Sequence, residues 1–311
     1  MSDRSETSKR GNLNDMSELS ELSKRNTLSA THDDALNGAR RGRRDPRMRR
    51  GAAPTPRRLA QPQSVRAIFF DVGFTLLEPA PSVVDIAAET CARLGFAVDR
   101  ACLEAHLPEA EDSLRRTVKA APQTWGDNHA IAGIWQQYYM VLLRPCFTGA
   151  LASKLDEAVT EVCRVFELYT SYALYPDVVP VLRALHARDY TLGVISDWGI
   201  GLGPILHAHG LNRFFDFAVI SAALRHAKPH PWLFETALRR ADAIPDYAVH
   251  IGDSYVLDIL GARSVGIAGV LIDRPGKINP ADVDVPVVRD LYGLLDLLEI
   301  ESAGIDDLGG G

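Results

Sequence analysis

Cysteine is scarce: 311 residues hold four, Cys91, Cys102, Cys146 and Cys163, with no C-x-x-C pair and no metal-ligand spacing to histidine. Neither a zinc ribbon nor a dithiol redox motif can be read from them. No apolar run approaches the ~18 residues of a bilayer span, so no membrane segment is expected. The N-terminus lacks the apolar stretch of a secretory signal, and its scattered acids, Asp3, Glu6, Asp15, Glu18 and Glu21, argue against a transit peptide. Together these absences predict a protein of the reducing cytoplasm. Internal repeats are absent too, which sets repeat architectures aside.

What is present divides at one point. Residues 1–64 carry 14 Lys/Arg against 8 Asp/Glu, a net of +6, while the rest of the chain carries 20 against 32, a net of −12. The first segment is dominated by Ser, Asn, Arg, Gly, Ala and Pro and has almost no periodic apolar pattern. It cannot bury enough surface to offset its ordering entropy, so 1–64 is expected to be a disordered basic tail. Nine arginines fall between Arg40 and Arg58, a density that suits weak polyanion binding by residues 40–58. No aromatic residue interleaves them to stack on bases, so nucleic acid is not expected as a partner.

From Val65 onward short apolar runs alternate with amphipathic ones. Val65–Phe70, Thr191–Ser196, Phe217–Ser221, Ala248–Ile251 and Ile267–Ile272 are brief and rich in Val, Ile and Phe, as buried strands are. Helical spacing separates the later ones at Asp177–Arg188, Pro204–His209, Pro231–Ala241 and Val256–Ser264. Successive βαβ units predict an α/β fold, a doubly wound parallel sheet with helices on both faces. One interval breaks the rhythm. Glu89–Leu94, Leu103–Val118, Ile131–Leu143 and Leu155–Tyr169 are helical in spacing, with Pro81, Pro108, Pro122 and Pro145 as punctuation. The predicted organisation is a core formed by 65–78 and 176–300, an inserted helical domain at 79–175, and a flexible C-terminus at 301–311.

Ligands of open α/β sheets sit beyond the carboxyl ends of the strands. Those ends carry Asp71, then Ser196-Asp197, then Gly252-Asp253-Ser254 with Asp258 shortly after, and Ala227-Lys228-Pro229 falls between them just before a helix. Taken singly, each has an ordinary reading: a strand-end Asp caps a turn, Ser196 is a capping hydroxyl, Lys228 a solvated amine. Taken together, in this order, they describe one crevice lined by carboxylates, a hydroxyl and a lysine.

This ordered set, with its helical insert, resembles the haloacid dehalogenase superfamily of hydrolases. Its four motifs stand as Asp71-Val72-Gly73-Phe74-Thr75, Ser196, Lys228-Pro229, and Gly252-Asp253-Ser254 followed by Asp258, and the likeness covers about residues 65–295. It implies a Rossmann-like core with a helical cap, in which Asp71 attacks the phosphorus of a small phosphorylated substrate and water hydrolyses the aspartyl-phosphate. It implies that Lys228 balances the charge of Asp71 and of the phosphoryl oxygens. Ser196 and backbone N–H groups after Asp71 would donate to those oxygens, and Thr75 would orient the loop. It further implies Mg²⁺ held by Asp71, the Gly73 carbonyl and Asp253, with Asp258 in support. No oligomeric state is implied.

Two positions depart from the family pattern. Phosphatases of the family usually carry a second aspartate where Gly73 stands, which protonates the leaving group and then activates water, a contribution of ~10²–10⁴-fold. Without it the rate should depend steeply on leaving-group acidity. Asp197 stands where Asn is common, and a carboxylate cannot donate to an oxyanion as an amide does; capping the following turn is its simplest role. His226 and His230, beside Lys228, are candidates for a substitute acid or are plain loop residues. Trp125, Trp135, Tyr138 and Tyr139 are expected mostly in the core of the insert. Three functions stay open: a phosphatase, a 2-haloacid dehalogenase, which needs no leaving-group acid, and a slow relative that binds a phosphorylated ligand or a protein. The metal-binding character of Gly252-Asp253-Ser254 favours the first.

Overall fold

Strand β1, Ala67–Phe70, is buried along its whole length, and its side chains enter two different cores: Ile68 and Phe70 join one hydrophobic cluster, Ala67 and Phe69 another. With side chains alternating between faces and both faces covered, such a strand belongs in the middle of a sheet. The computed structural model describes residues 59–301. In it β2 is Leu77–Pro79, β3 Tyr172–Leu174, β4 Thr191–Ser196, β5 Phe217–Ile220, β6 Ala248–Gly252, β7 Ala268–Ile272 and β8 Val287–Val288. Six of these form a parallel sheet of order β5-β4-β1-β6-β7-β8. The chain runs outward from β1 through β4 and β5, returns, and runs outward again through β6 to β8. Strand order therefore reverses at β1, where open α/β sheets form their binding crevice. The five predicted strands all form; β2, β3 and β8 were not anticipated, being only two or three residues long.

Between β2 and β3, which pair antiparallel, lie four helices: α1 Val83–Arg93, α2 Arg100–Ala120, α3 Asn128–Leu143 and α4 Leu155–Val165. The side chains of Ser82, Asp99 and Asp127 start the first three by accepting from the N–H groups of Asp85, Ala101 and Ala130. α3 buries Ile131, Ile134, Trp135, Tyr138, Tyr139, Leu142 and Leu143, the width of stripe expected of a helix packed on several neighbours. Pro108 does not punctuate, as its residue type suggested, but lies inside α2. It sits on the exposed face, where water can solvate the carbonyl freed by the missing N–H.

The remaining α-helices longer than four residues are α5 Val178–His186, α6 Leu202–Ala208, α7 Pro231–Ala241 and α8 Tyr292–Leu297. The helix expected at Val256–Ser264 begins instead as a π-helical turn, Tyr255–Leu260, and becomes α-helical only at Gly261–Ser264.

Two expectations are corrected. Residues 59–64, assigned to the disordered tail, are ordered: Leu59 is buried in the main core, Pro62–Ser64 make a 3-10 turn, and Gln63 donates to Glu299. One large apolar side chain is enough to fix the segment's entry onto the sheet. The rest of the expected tail and residues 302–311 lie outside the described residues. The second correction concerns cysteine. Cys102 in α2 and Cys146 just after α3 form a disulfide across 44 residues, with Cα atoms 5.9 Å apart, and His106 stands beside them. Packing of α2 on α3 juxtaposes positions that no spacing rule connects, and the cysteine argument for a reducing compartment falls with it. Among the described residues no helix is long and apolar enough to cross a membrane.

Candidate active site

The carboxyl ends of β1, β4 and β6 deliver Asp71, Ser196 and Asp253, and the registers that set Phe70 opposite both Val194 and Ile251 bring those ends level. Lys228 Nζ donates to Asp71 Oδ1 and to Asp258 Oδ1, each at 2.7 Å. Ser196 Oγ donates to Asp71 Oδ1 at 3.1 Å, and Thr75 Oγ1 approaches Asp71 Oδ2 at 3.4 Å. Carboxylate oxygens of Asp71, Asp253 and Asp258 lie within 4.8 Å of one another, all buried. Asp71, Thr75, Ser196, Lys228, Asp253 and Asp258 therefore meet in one place.

The π-helical turn makes this possible for Asp258. Ser254 Oγ accepts from Leu257 N–H to start the turn, and Ser254 N–H donates to Asp258 Oδ2 at 3.0 Å. The Asp258 carboxyl then rests against Gly252, where any Cβ would overlap it. Glycine at this strand end is a requirement of close approach.

Charge in the crevice is unbalanced. Asp71, Asp197, Asp253 and Asp258 are buried with a single ammonium, that of Lys228. Burial pushes the Asp71 carboxyl up, opposed by Lys228 and reinforced by Asp258. Burial, with Asp71 and Asp258 beside it, pushes Asp253 far above the carboxylate range. Asp258 goes the other way: burial would raise it, but the charge of Lys228 and the hydrogen bond from His250 outweigh burial and bring it to about 2. For Lys228, burial would lower the pKa, but the carboxylates of Asp258, Asp71 and Asp197 raise it, so the ammonium is held. Three converging carboxylates, one of them with a buried oxygen, Asp253 Oδ1, that has no partner, form the donor set of a hard divalent cation. The residues fit such an ion.

Gly73 lies in the turn that follows β1, where Phe74 N–H donates to Leu77 O at 2.7 Å. The left-handed residue of this turn is Phe74, with φ 51°, and not the glycine. Gly73 is thus not explained by backbone conformation.

Sequence reasoning missed two residues. His250, inside β6, donates from Nε2 to Asp258 Oδ1 at 2.9 Å; a polar residue within an apolar strand, three before Asp253, was the available signal. Arg274 follows β7, grips Asp177 with Nη1 at 2.8 Å to both oxygens, and donates from Nη2 to Thr75 O at 2.6 Å. Its guanidinium lies 3.9 Å above the Tyr175 ring. It fixes the loop behind Asp71 from about 200 residues away, and nothing local marked it.

His226 and His230 stack on each other at 4.1 Å, and His230 Nδ1 accepts from Trp232 N–H to cap α7. Asp197 does not cap the following turn; its Oδ1 accepts from Lys228 N–H at 2.9 Å. The segment joining α2 to α3 reaches the mouth of the crevice. Gln123 Oε1 accepts from Ala227 N–H at 3.1 Å, Trp125 O from Ser221 Oγ at 2.6 Å, and Asn128 Oδ1 from Ile200 N–H at 3.0 Å.

A family model described as haloacid dehalogenase-like hydrolase matches residues 65–266. The haloacid dehalogenase-like hydrolase domain-containing protein 3 of Bos taurus is 29% identical over 259 residues, covering 79% of this chain and 99% of its own. The glyceraldehyde 3-phosphate phosphatase of Methanopyrus kandleri is 31% identical over 227 residues, 71% of this chain and 91% of its own. The crystal structure of a 2-haloacid dehalogenase from Pseudomonas syringae superposes with a TM-score of 0.52 at 26% identity, covering 76% of this chain and 98% of that one.

Proposed function

This chain belongs to the haloacid dehalogenase-like hydrolases, and from that membership we propose that it is a Mg²⁺-dependent phosphatase of a small phosphorylated metabolite, acting through an aspartyl-phosphate on Asp71. The observation that carries the reading is the buried trio Asp71, Asp253 and Asp258, whose oxygens converge within 4.8 Å with only Lys228 to balance them. A site with that much negative charge is made for a cation and for the anionic group a cation brings with it. The likeness to the Methanopyrus kandleri phosphatase supports the same chemistry.

Asp71 and Asp253, with the Gly73 carbonyl, would hold the ion and Asp258 would support it. Bound there, Mg²⁺ supplies charge neutralisation for the phosphoryl oxygens. Lys228 keeps Asp71 in place and ionised for attack, since its ammonium is the only positive group in contact with that carboxylate among the bonds described. Ser196 Oγ, now spent on Asp71 at 3.1 Å, is free to turn to a phosphoryl oxygen when substrate enters. Thr75, with its carbonyl pinned by Arg274, keeps the loop from moving during transfer. The four helices between β2 and β3 act as a cap, held at the crevice mouth by Gln123, Trp125 and Asn128. A cytoplasmic location goes with this reading, because phosphorylated metabolites are made and used there; the Cys102–Cys146 pairing is the feature that speaks against it.

A second reading, a 2-haloacid dehalogenase, is favoured by one observation: no acid stands at Gly73, and halide needs none on leaving. The test is a screen of phosphorylated metabolites with and without Mg²⁺, with 2-haloacids as the control class. Phosphate release that EDTA stops and Mg²⁺ restores supports the proposal; halide release undiminished by EDTA overturns it.

A further inference from the structure

Of the two oxygens of Asp197, one has an evident task and the other has none. Oδ1 accepts from Lys228 N–H, whereas Oδ2 is buried without any partner, in a residue with no exposed surface. The residue stands directly after Ser196, whose hydroxyl touches Asp71, and directly before Trp198, whose N–H bonds Ser221, the residue that holds the cap at Trp125. Asp197 is thus the first residue past β4, the strand next to β1, flanked on one side by the residue that touches the nucleophile and on the other by the one tied to the cap's anchor. A carboxyl left with a free oxygen there is stable only if it is protonated or if a ligand completes it.

We propose that Asp197, in its protonated form, donates to the leaving oxygen and, as the carboxylate, then takes a proton from the attacking water, doing the work of the side chain that Gly73 lacks. The proposal rests on the phosphatase reading. In the first step an Asp71 oxygen bonds to phosphorus, the bond from phosphorus to the leaving oxygen breaks with its electron pair going to that oxygen, and the Asp197 proton completes the alcohol. In the second, water bonds to phosphorus, its proton goes to the Asp197 carboxylate, and the bond to Asp71 breaks, releasing phosphate and restoring both aspartates. Of the other candidates, His230 caps α7 and stacks on His226, His250 is bound to Asp258, and Asp253, though it too keeps an unpartnered oxygen, is assigned to the ion.

The chemistry of the position suits the task. Three groups act on Asp197: Lys228 from the segment before α7, Asp71 at the end of β1, and Asp258 in the π-helical turn. Burial, opposed by Lys228 and by the N–H it accepts, pushes the Asp197 carboxyl up to about 7. A group titrating there can both give and take a proton at neutral pH.

The experiment measures kcat/KM with Mg²⁺ for a series of aryl and alkyl phosphates in the unmodified protein and in Asp197→Asn, whose amide oxygen can still accept from Lys228 N–H. The expected result is a shallow dependence on leaving-group pKa before substitution and a steep one after it. Alkyl phosphates should lose ~10²–10⁴-fold and nitrophenyl phosphate less than about tenfold. Adding Gly73→Asp to Asp197→Asn should return part of the alkyl activity, Gly73 itself having no left-handed φ to oppose a side chain. A loss equal across the series would show that Asp197 merely positions Lys228 and would overturn the proposal while leaving the phosphatase reading intact. Should Asp197→Asn fail to fold, the pH profile of the unmodified protein decides. An alkyl rate that falls with rising pH relative to the aryl rate supports the proposal, and parallel profiles overturn it. If no phosphate ester is turned over and no phosphate is trapped on Asp71, this proposal and the phosphatase reading fall together.

Discussion

Two buried regions of this molecule leave polar atoms without partners, and they do so with different consequences. In the helical layer Trp125 and Trp135 bury their indole Nε1 atoms unpaired, inside a cluster where Trp135 lies 5.9 Å from Trp125, 5.5 Å from Tyr138 and 6.1 Å from Tyr139. In and around the crevice the orphans include carboxylate oxygens of Asp197 and Asp253, with His250 Nδ1 and Trp198 Nε1 beside them. An unpaired indole N–H costs about 1–3 kcal/mol, which the large apolar area of the ring offsets locally. An unpaired buried carboxylate costs more and has no apolar body to compensate it. The first region is therefore complete as it stands, and the second is built to be completed by something else.

The sharpest way to break this comparison is at Asp71. Asp71→Asn keeps the shape and removes the nucleophile, so turnover should fall roughly a thousandfold or more, about 4 kcal/mol of barrier, with the melting temperature kept or raised because one buried charge is gone. Retention of more than about a tenth of the activity would exclude an aspartyl-phosphate route.

The converse belongs to the helical layer. Trp135→Ala should cost about 3–5 kcal/mol of stability by chemical denaturation, and the fraction that folds should keep the metal dependence of the parent. If stability barely changed while activity vanished, the aromatic cluster would be part of the site rather than of the scaffold.

A smaller effect is expected from the disulfide. Reducing Cys102–Cys146 should lower stability by about 2–4 kcal/mol, and thiol titration of the denatured protein should gain two thiols after reduction. Equal titration before and after would mean that the pair is already open in solution. The smallest effect lies at the N-terminal edge. Removing residues 1–58 should hardly move the melting temperature, whereas removal through Ser64 takes Leu59 out of the core and should cost about 1.5–3 kcal/mol. Equal losses would place further core residues before Leu59.

Much of the fold was legible because its signals are local. Ala67-Ile68-Phe69-Phe70 ends on Asp71, and a short apolar run stopped by a carboxylate can be read without knowing its neighbours. The same holds for Thr191–Ser196, for Pro231–Ala241 with a proline at its first turn, and for the acids at 253 and 258. Four such signals in order were enough to gather the candidate site before any distance was known.

What escaped the sequence is whatever depends on distant chain segments meeting. His250 is marked only as a polar residue in an apolar strand, and its partner exists only once the π-helical turn brings Asp258 to it. Arg274 gains its role only because β7 ends beside Asp177 and the loop after β1. The Cys102–Cys146 pair exists through the packing of two helices, and Leu59 was assigned to a tail because one apolar residue makes no pattern.

The sequence by itself determined which residues could form strands and helices and which polar side chains would stand at the strand ends, since side-chain period and strand-end position are properties of a few consecutive residues. The tertiary structure alone decided how charge is shared among them. Lys228 is divided between Asp71 and Asp258, while Asp253 and Asp197 each keep an oxygen without a partner. The reason is physical: pairing and desolvation depend on distances of a few ångströms between atoms far apart in the chain, and those distances exist only once the sheet and the helices have packed.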